Sequence, residues 1–137
     1  MKEIIKPNAK GHLKLWLIDK DGKITVLYDD HNAIVADAET IMRNCISGYS
    51  TPVDAIVAYK SGGVLASKTV GEEERAFVST NGSTFTTLFT FADFNDTLDE
   101  LRLESSIVGS FSEVTGLDIS KSSEEQLGIS WTITFNV

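Results

Sequence analysis

The sequence predicts a mainly β fold, an antiparallel, jelly-roll-like β-sandwich of about eight strands with one packed α-helix. Three observations carry this reading. Leu127–Val137 alternates without a break, apolar at every odd position and Gly, Ser, Thr or Asn at every even one, the period of a strand with one buried face. Turn signals at Asp21-Gly22, Gly62-Gly63 and Asn81-Gly82 separate short runs rich in β-branched and aromatic residues. A single stretch, Ile34, Ala38, Ile41, Met42, Cys45 and Ile46, recurs instead at three- and four-residue steps, the stripe of a helix with one buried face.

In chain order, residues 1–11 hold Pro7, Asn8 and Gly11 with little periodicity and read as an N-terminal arm; 12–137 is then a single domain. His12 to Asp19 is a strand with Leu13, Leu15 and Leu17 on one face and Trp16 and Ile18 on the other. Two apolar faces imply that one meets the core and the other a second layer or another subunit. The expected interface is therefore Trp16 and Ile18, with Ile4, Ile5 and Pro7 from the arm. Asp19-Lys20-Asp21-Gly22 is a hairpin turn and Ile24 to Tyr28 the returning strand. The helix follows, about four turns long, with Asp30 or Asn32 as cap and Gly48 ending it.

Asp54 to Tyr59 is a buried strand closed by the turn Ser61-Gly62-Gly63, and Val64 to Glu74 reads as an irregular polar loop. Strands are expected at Arg75 to Ser79, Thr84 to Phe91, Leu101 to Glu104 and Ile107 to Phe111, with an acidic loop over Asp93 to Glu100 and a polar one over Ser120 to Gln126. The predicted core comprises Leu13, Leu15, Leu17, Ile41, Cys45 and Ile56. Phe85, Phe89, Phe91 and Leu103 belong to it as well, as do Ile129, Trp131, Ile133 and Phe135 on the final strand.

Composition narrows the function. Twelve Lys and Arg against twenty Asp and Glu leave a formal charge of −8, which repels nucleic acid and anionic lipid at long range. No apolar run approaches the ~20 residues of a membrane span, and Met1–Pro7 lacks the apolar segment of a signal peptide. A protein made soluble in the cytoplasm is expected, with no nucleic acid or membrane partner. One cysteine, Cys45, excludes an intrachain disulfide framework.

The chemistry-bearing clusters each have a structural explanation. Asp19, Asp21 and Gly22 suggest part of a calcium loop, but the twelfth position is Asp30 and strands flank it, so a tight turn is the reading. Asp29, Asp30 and His31 could begin a metal site with His12, yet neighbours on an extended chain point to opposite faces. Glu72-Glu73-Glu74-Arg75 reads as a solvated loop, because paired carboxylates do chemistry only where burial separates their pKa values. Cys45, on the helix stripe, reads as a small core residue. No catalytic, cofactor-binding or metal residue is predicted.

Order along the chain adds a resemblance. A strand hairpin runs into His31-Asn32-Ala33-Ile34-Val35, then the strand Asp54-Ala55-Ile56-Val57-Ala58-Tyr59-Lys60 and the acidic loop Gly71-Glu72-Glu73-Glu74-Arg75. The Thr/Phe strand Thr84–Phe91, the segment Asp99-Glu100-Leu101-Arg102-Leu103 and the ending Ser130-Trp131-Thr132-Ile133-Thr134-Phe135 complete the series. In these features residues 12–137 resemble small virion structural proteins of tailed bacteriophages and prophages, of the tail-fibre and tail-collar kind. The resemblance implies a non-enzymatic virion component, a homo-oligomer on a symmetric particle with other virion proteins as partners. A tail fibre, collar or baseplate position leads, with capsid decoration or a head fibre as the alternative. A second alternative is a module binding a host glycan or protein through the loops at Lys60 to Glu74 and Asp93 to Glu100.

Overall fold

The computed structural model describes residues 8–32, 34–35, 37–49, 52–70, 75–79 and 82–136. In chain order the elements are β1 (Asn8–Asp19), β2 (Ile24–Asn32), α1 (Asp37–Ile46), β3 (Ala55–Lys60), β4 (Gly63–Thr69), β5 (Arg75–Ser79) and β6 (Gly82–Phe89). They continue with β7 (Thr97–Leu98), β8 (Glu100–Ser105), β9 (Gly109–Val114), β10 (Ile119–Ser120) and β11 (Glu125–Asn136). A five-stranded sheet, β2-β1-β11-β6-β5, and a four-stranded sheet, β4-β3-β8-β9, form the two layers, and β10 and β7 make a short pair. Every pairing is antiparallel.

Side chains from both layers share one core. Leu13 and Leu15 of β1, Phe85 and Phe89 of β6, and Leu127, Ile129, Trp131 and Ile133 of β11 meet Ile56, Ala58, Leu101 and Leu103 of the opposite sheet. The alternation of the final strand thus does what its pattern predicts. β11 is flanked by β1 along its whole length and by β6 from Leu127 to Thr134, so a terminal strand occupies the middle of its sheet. Leu17 is half-buried against this core. Phe135 lies in β11, its side chain outside the described residues.

The first hairpin is locked by its own turn. The Asp19 carboxylate accepts from the backbone N–H of Asp21 and Lys23, both at 2.9 Å, and Gly22 takes φ +83°, which a side chain would resist. Asp19 thus closes the hairpin turn that the sequence predicts.

Other expectations are corrected. Asn8–Gly11, assigned to the arm, is strand paired with Asn136–Ile133, so Ile4, Ile5 and Pro7 alone of the expected interface lie outside the described residues. Val64–Thr69, expected as loop, belongs to β4, an edge strand that bulges where Ala58 and Tyr59 face it. Ile107 sits in a turn, and the strand expected there begins at Gly109. Phe91, expected in the core, lies beyond the end of β6 in a turn, half-buried, with the Lys20 ammonium 5.8 Å from its ring centroid.

The helix is shorter than its stripe. Ile34 bridges to Ser112 and Val35 N donates to Phe111 O, so this segment adds to the β9 edge before α1 begins at Asp37. Neither Asp30 nor Asn32 caps it; Asp30 accepts from His31 N and Asn32 donates to Ser112. Ala38 and Ile41 are buried, whereas Cys45, expected in the core, is exposed and Ile46 is 86 % exposed. The helix lies against β9 at the rim of its sheet, and its last turn is exposed there. Gly48 does end it: with φ +83°, Gly48 N donates to Cys45 O and Tyr49 N to Asn44 O, the two bonds of a Schellman motif.

Candidate functional site

Apolar side chains stand exposed on the outer face of the five-stranded sheet. Because Leu13, Leu15 and Leu17 turn inward, the even positions of β1, His12, Lys14, Trp16 and Ile18, turn outward. Across the register they meet Ser130 and Gly128 of β11 and Val26 and Ile24 of β2. Trp16 and Ile18 are half-buried, while Ile24 is 61 % and Val26 53 % exposed. Bare aliphatic surface of this kind, next to an aromatic, is what interaction faces carry.

Trp16 does not project from the sheet. Its indole lies on the backbone of Gly128, its cross-strand partner, so closely that a Cβ there would overlap the ring. Gly128 breaks no alternation, yet it is the one outward position of β11 where an aromatic can lie down, and the ring covers the glycine as it does so. Beside the indole, Lys14, Trp16, Ile24, Val26 and Ser130 line an open groove of about 460 Å³.

At the far end of the same face the two histidines come together. His12 pairs with His31 across β1 and β2, their rings edge to face with centroids 4.7 Å apart. His12 Nε2 hydrogen-bonds to the Asp29 carboxylate, which that bond first, and the neighbouring Lys14 and His31 charges after it, hold below the ordinary Asp range. Asp29 and His31 thus converge with His12. Among the described residues, no group of three or more His, Cys, Asp or Glu side chains is arranged to hold a metal ion. The pairing was hidden in the sequence because a bulge at Leu15/Trp16 shifts the register; the two histidines stand nearly equidistant from the turn, which was the available signal.

The outer face of the four-stranded sheet is charged. Arg102 stacks on Tyr59 with its guanidinium carbon 4.1 Å from the ring centroid, bonds to Glu100 and approaches Glu113 at 3.7 Å. Burial, and then the hydrogen bond Tyr59 donates to Glu104, push the phenol up to about 12. Below pH 10 the phenol is protonated in folded and unfolded chains alike. Between 10 and 12 only the unfolded chain loses the proton, so stability falls with rising pH by roughly 2–3 kcal/mol across that window. Tyr59→Phe should remove that part of the alkaline slope in urea titrations at pH 9 to 12; an unchanged slope would contradict the assignment.

Described residues of the two loops named for glycan or protein recognition carry ion pairs. Lys60 pairs with Asp96 at 2.7 Å and Lys68 with Asp93 at 2.8 Å. Phe94, their one aromatic, is buried edge-on against Phe89 and offers no sugar platform. Glu72, Glu73 and Glu74 lie outside the described residues, as does the side chain of Arg75. Among the described residues, no helix is long and apolar enough to cross a membrane. Compared with family models, curated proteins and solved structures, the chain matches none of them.

Proposed function

We propose that this chain is a bacteriophage virion structural protein that works through subunit contacts, at a tail fibre, collar or baseplate position. The observation that carries the assembly part is the open sheet face, where Trp16, Ile24 and Val26 present apolar surface around a groove instead of burying it. The phage part rests on the order of sequence elements described above. A rigid sandwich suits such a role, because a symmetric assembly repeats one contact many times and needs a scaffold that holds it without rearrangement. The acidic surface keeps free subunits apart until a specific face engages.

The test is to find the chain on a particle. Particles produced by a strain carrying this reading frame are purified, heads and tails are separated, and each fraction is analysed by mass spectrometry. The chain is expected at constant stoichiometry with tails. Its absence from both fractions overturns the reading, and its recovery with heads moves it to the capsid surface.

A further inference from the structure

We propose that β2 docks on β2 of a second copy of this chain, the two strands pairing antiparallel about a two-fold axis at Thr25 so that their five-stranded sheets join edge to edge. This names the partner for the assembly reading and rests on it.

The first hairpin decides which backbone groups are free. Among the described residues β2 pairs with β1 alone, so its other side is an open edge. Bonded and non-bonded residue pairs alternate along an antiparallel ladder. At the turn Asp19 N donates to Lys23 O at 3.1 Å, so the next bonded pair is Leu17 with Thr25. Ile24 and Val26, between and beyond, therefore turn their N–H and C=O groups to the open edge. They are also the two most exposed aliphatic residues of the strand, and no proline interrupts it.

Two copies of this edge complement each other in one register. With Thr25 opposite Thr25, Ile24 of each copy falls opposite Val26 of the other. These are the residues whose backbone groups face the edge, so each of the two pairs can exchange both of its hydrogen bonds. The same pairs set aliphatic side chains against each other across the join, on the outer face, as cross-strand partners that stabilise a sheet. On the inward side the charges are complementary. Lys23 shares a face with Thr25, and Asp30 is opposite Leu13 as Thr25 is opposite Leu17. The exposed Lys23 of one copy thus runs toward the exposed Asp30 of the other, at both ends of the pairing.

The contact also limits itself. The bulge at Leu15/Trp16 shifts β2 beyond Val26, and Asp29 and Asp30 follow it, so pairing ends there. A two-fold contact that uses the same edge of both copies closes at two. The groove over Trp16 lies on the sheet face and is not part of it.

The test uses full-length protein in sedimentation velocity over a wide concentration range, with circular dichroism to check folding. The parent chain is expected to form dimers and no larger species. Ile24→Lys and Val26→Glu should each weaken dimerisation at least about tenfold. Mixed in equal amounts the two variants should regain it, because the register sets position 24 of one against position 26 of the other. Amide hydrogen exchange of the parent chain needs no variant: it should slow with rising concentration at Ile24 and Val26 and stay constant at Thr25, which the ladder bonds to Leu17.

A parent chain that stays monomeric at every concentration overturns the proposal. So does a dimer whose exchange at Ile24 and Val26 is unchanged, or a mixture of well-folded variants that stays dissociated; either would assign the contact to another surface. A chain found on particles but failing these measurements loses the β2 pairing and keeps the assembly reading. A chain that passes them but is absent from particles loses only the virion reading.

Discussion

Trp131→Ala should lower the stability of the folded chain by about 3–5 kcal/mol, a large share of the ordinary 5–15 kcal/mol of a domain. Trp131 is fully buried at the middle of β11, between Leu13 on β1 and Phe85 on β6. Truncation removes the largest fully buried side chain in the core, at the strand that joins both halves of the sheet, where the backbone has least freedom to collapse into the space. Urea unfolding followed by circular dichroism measures the effect. A Trp131→Ala protein as stable as the parent, yet unable to assemble, would mean that the side chain serves a contact and not the core.

The loss should come from volume and not from the indole N–H. Trp131 Nε1 is buried and has no hydrogen-bond partner among the described residues, so Trp131→Phe removes none of their bonds and should cost only about 1–2 kcal/mol. Because Trp16 would remain the sole tryptophan in either variant, its emission also reports directly on the groove beside it. A Phe variant as damaged as the Ala variant would show that the N–H finds a partner after all.

Local pattern carried the fold wherever one strand face is buried along its length. β11, β1 from His12 onward and the Asp19–Gly22 turn need only periodicity and turn chemistry, and both are written in consecutive residues. β4 was missed because an edge strand needs little burial: only Leu65, Ala66 and Lys68 of Gly63–Thr69 are even partly covered, so its alternation is faint. Cys45 failed for the opposite reason. Its place on the stripe was right, but the depth of the stripe depends on what lies beneath the helix, and the rim of a sheet lies there. Phe91 shares the alternation of Phe85 and Phe89, yet its strand ends two residues earlier. Of the candidate site, the outward placing of Trp16 and Ile18 was legible in the alternation of β1. The groove was not, since it depends on Ile24 and Val26 arriving across a bulged register and on Gly128 making room for an indole.

Lys121 was the least legible residue, and replacing it should have the second large effect. In the sequence it opens a run of Ser and Glu that reads as solvated, but it is 2 % exposed. Its ammonium donates to Phe94 O at 2.7 Å, Ser122 O at 3.1 Å and Phe91 O at 3.4 Å, and stands 5.2 Å from the Phe94 ring centroid. Burial draws its pKa below the ordinary lysine value, against the opposing pull of the Asp93 and Glu125 charges. Lys121→Met keeps most of the volume, removes the charge and leaves those carbonyls without their donor. Two opposing effects meet here. Losing a buried ammonium recovers its desolvation cost, whereas hydrogen bonds from a charged donor contribute about 1.5–3 kcal/mol each and orphaned buried carbonyls cost about 1–3. Two of the three bonds are 3.1 Å or shorter, so the bonds should prevail and Lys121→Met should destabilise by about 2–4 kcal/mol. The damage should start locally, with faster amide hydrogen exchange at Asp93 and Lys121, whose N–H groups bond to Thr90 O and Asp96 O, before the strands of either sheet open. A variant within about 1 kcal/mol of the parent would mean that desolvation cancels the bonds, and that the turn at 91–94 is held by the packing of Phe94 on Phe89 instead.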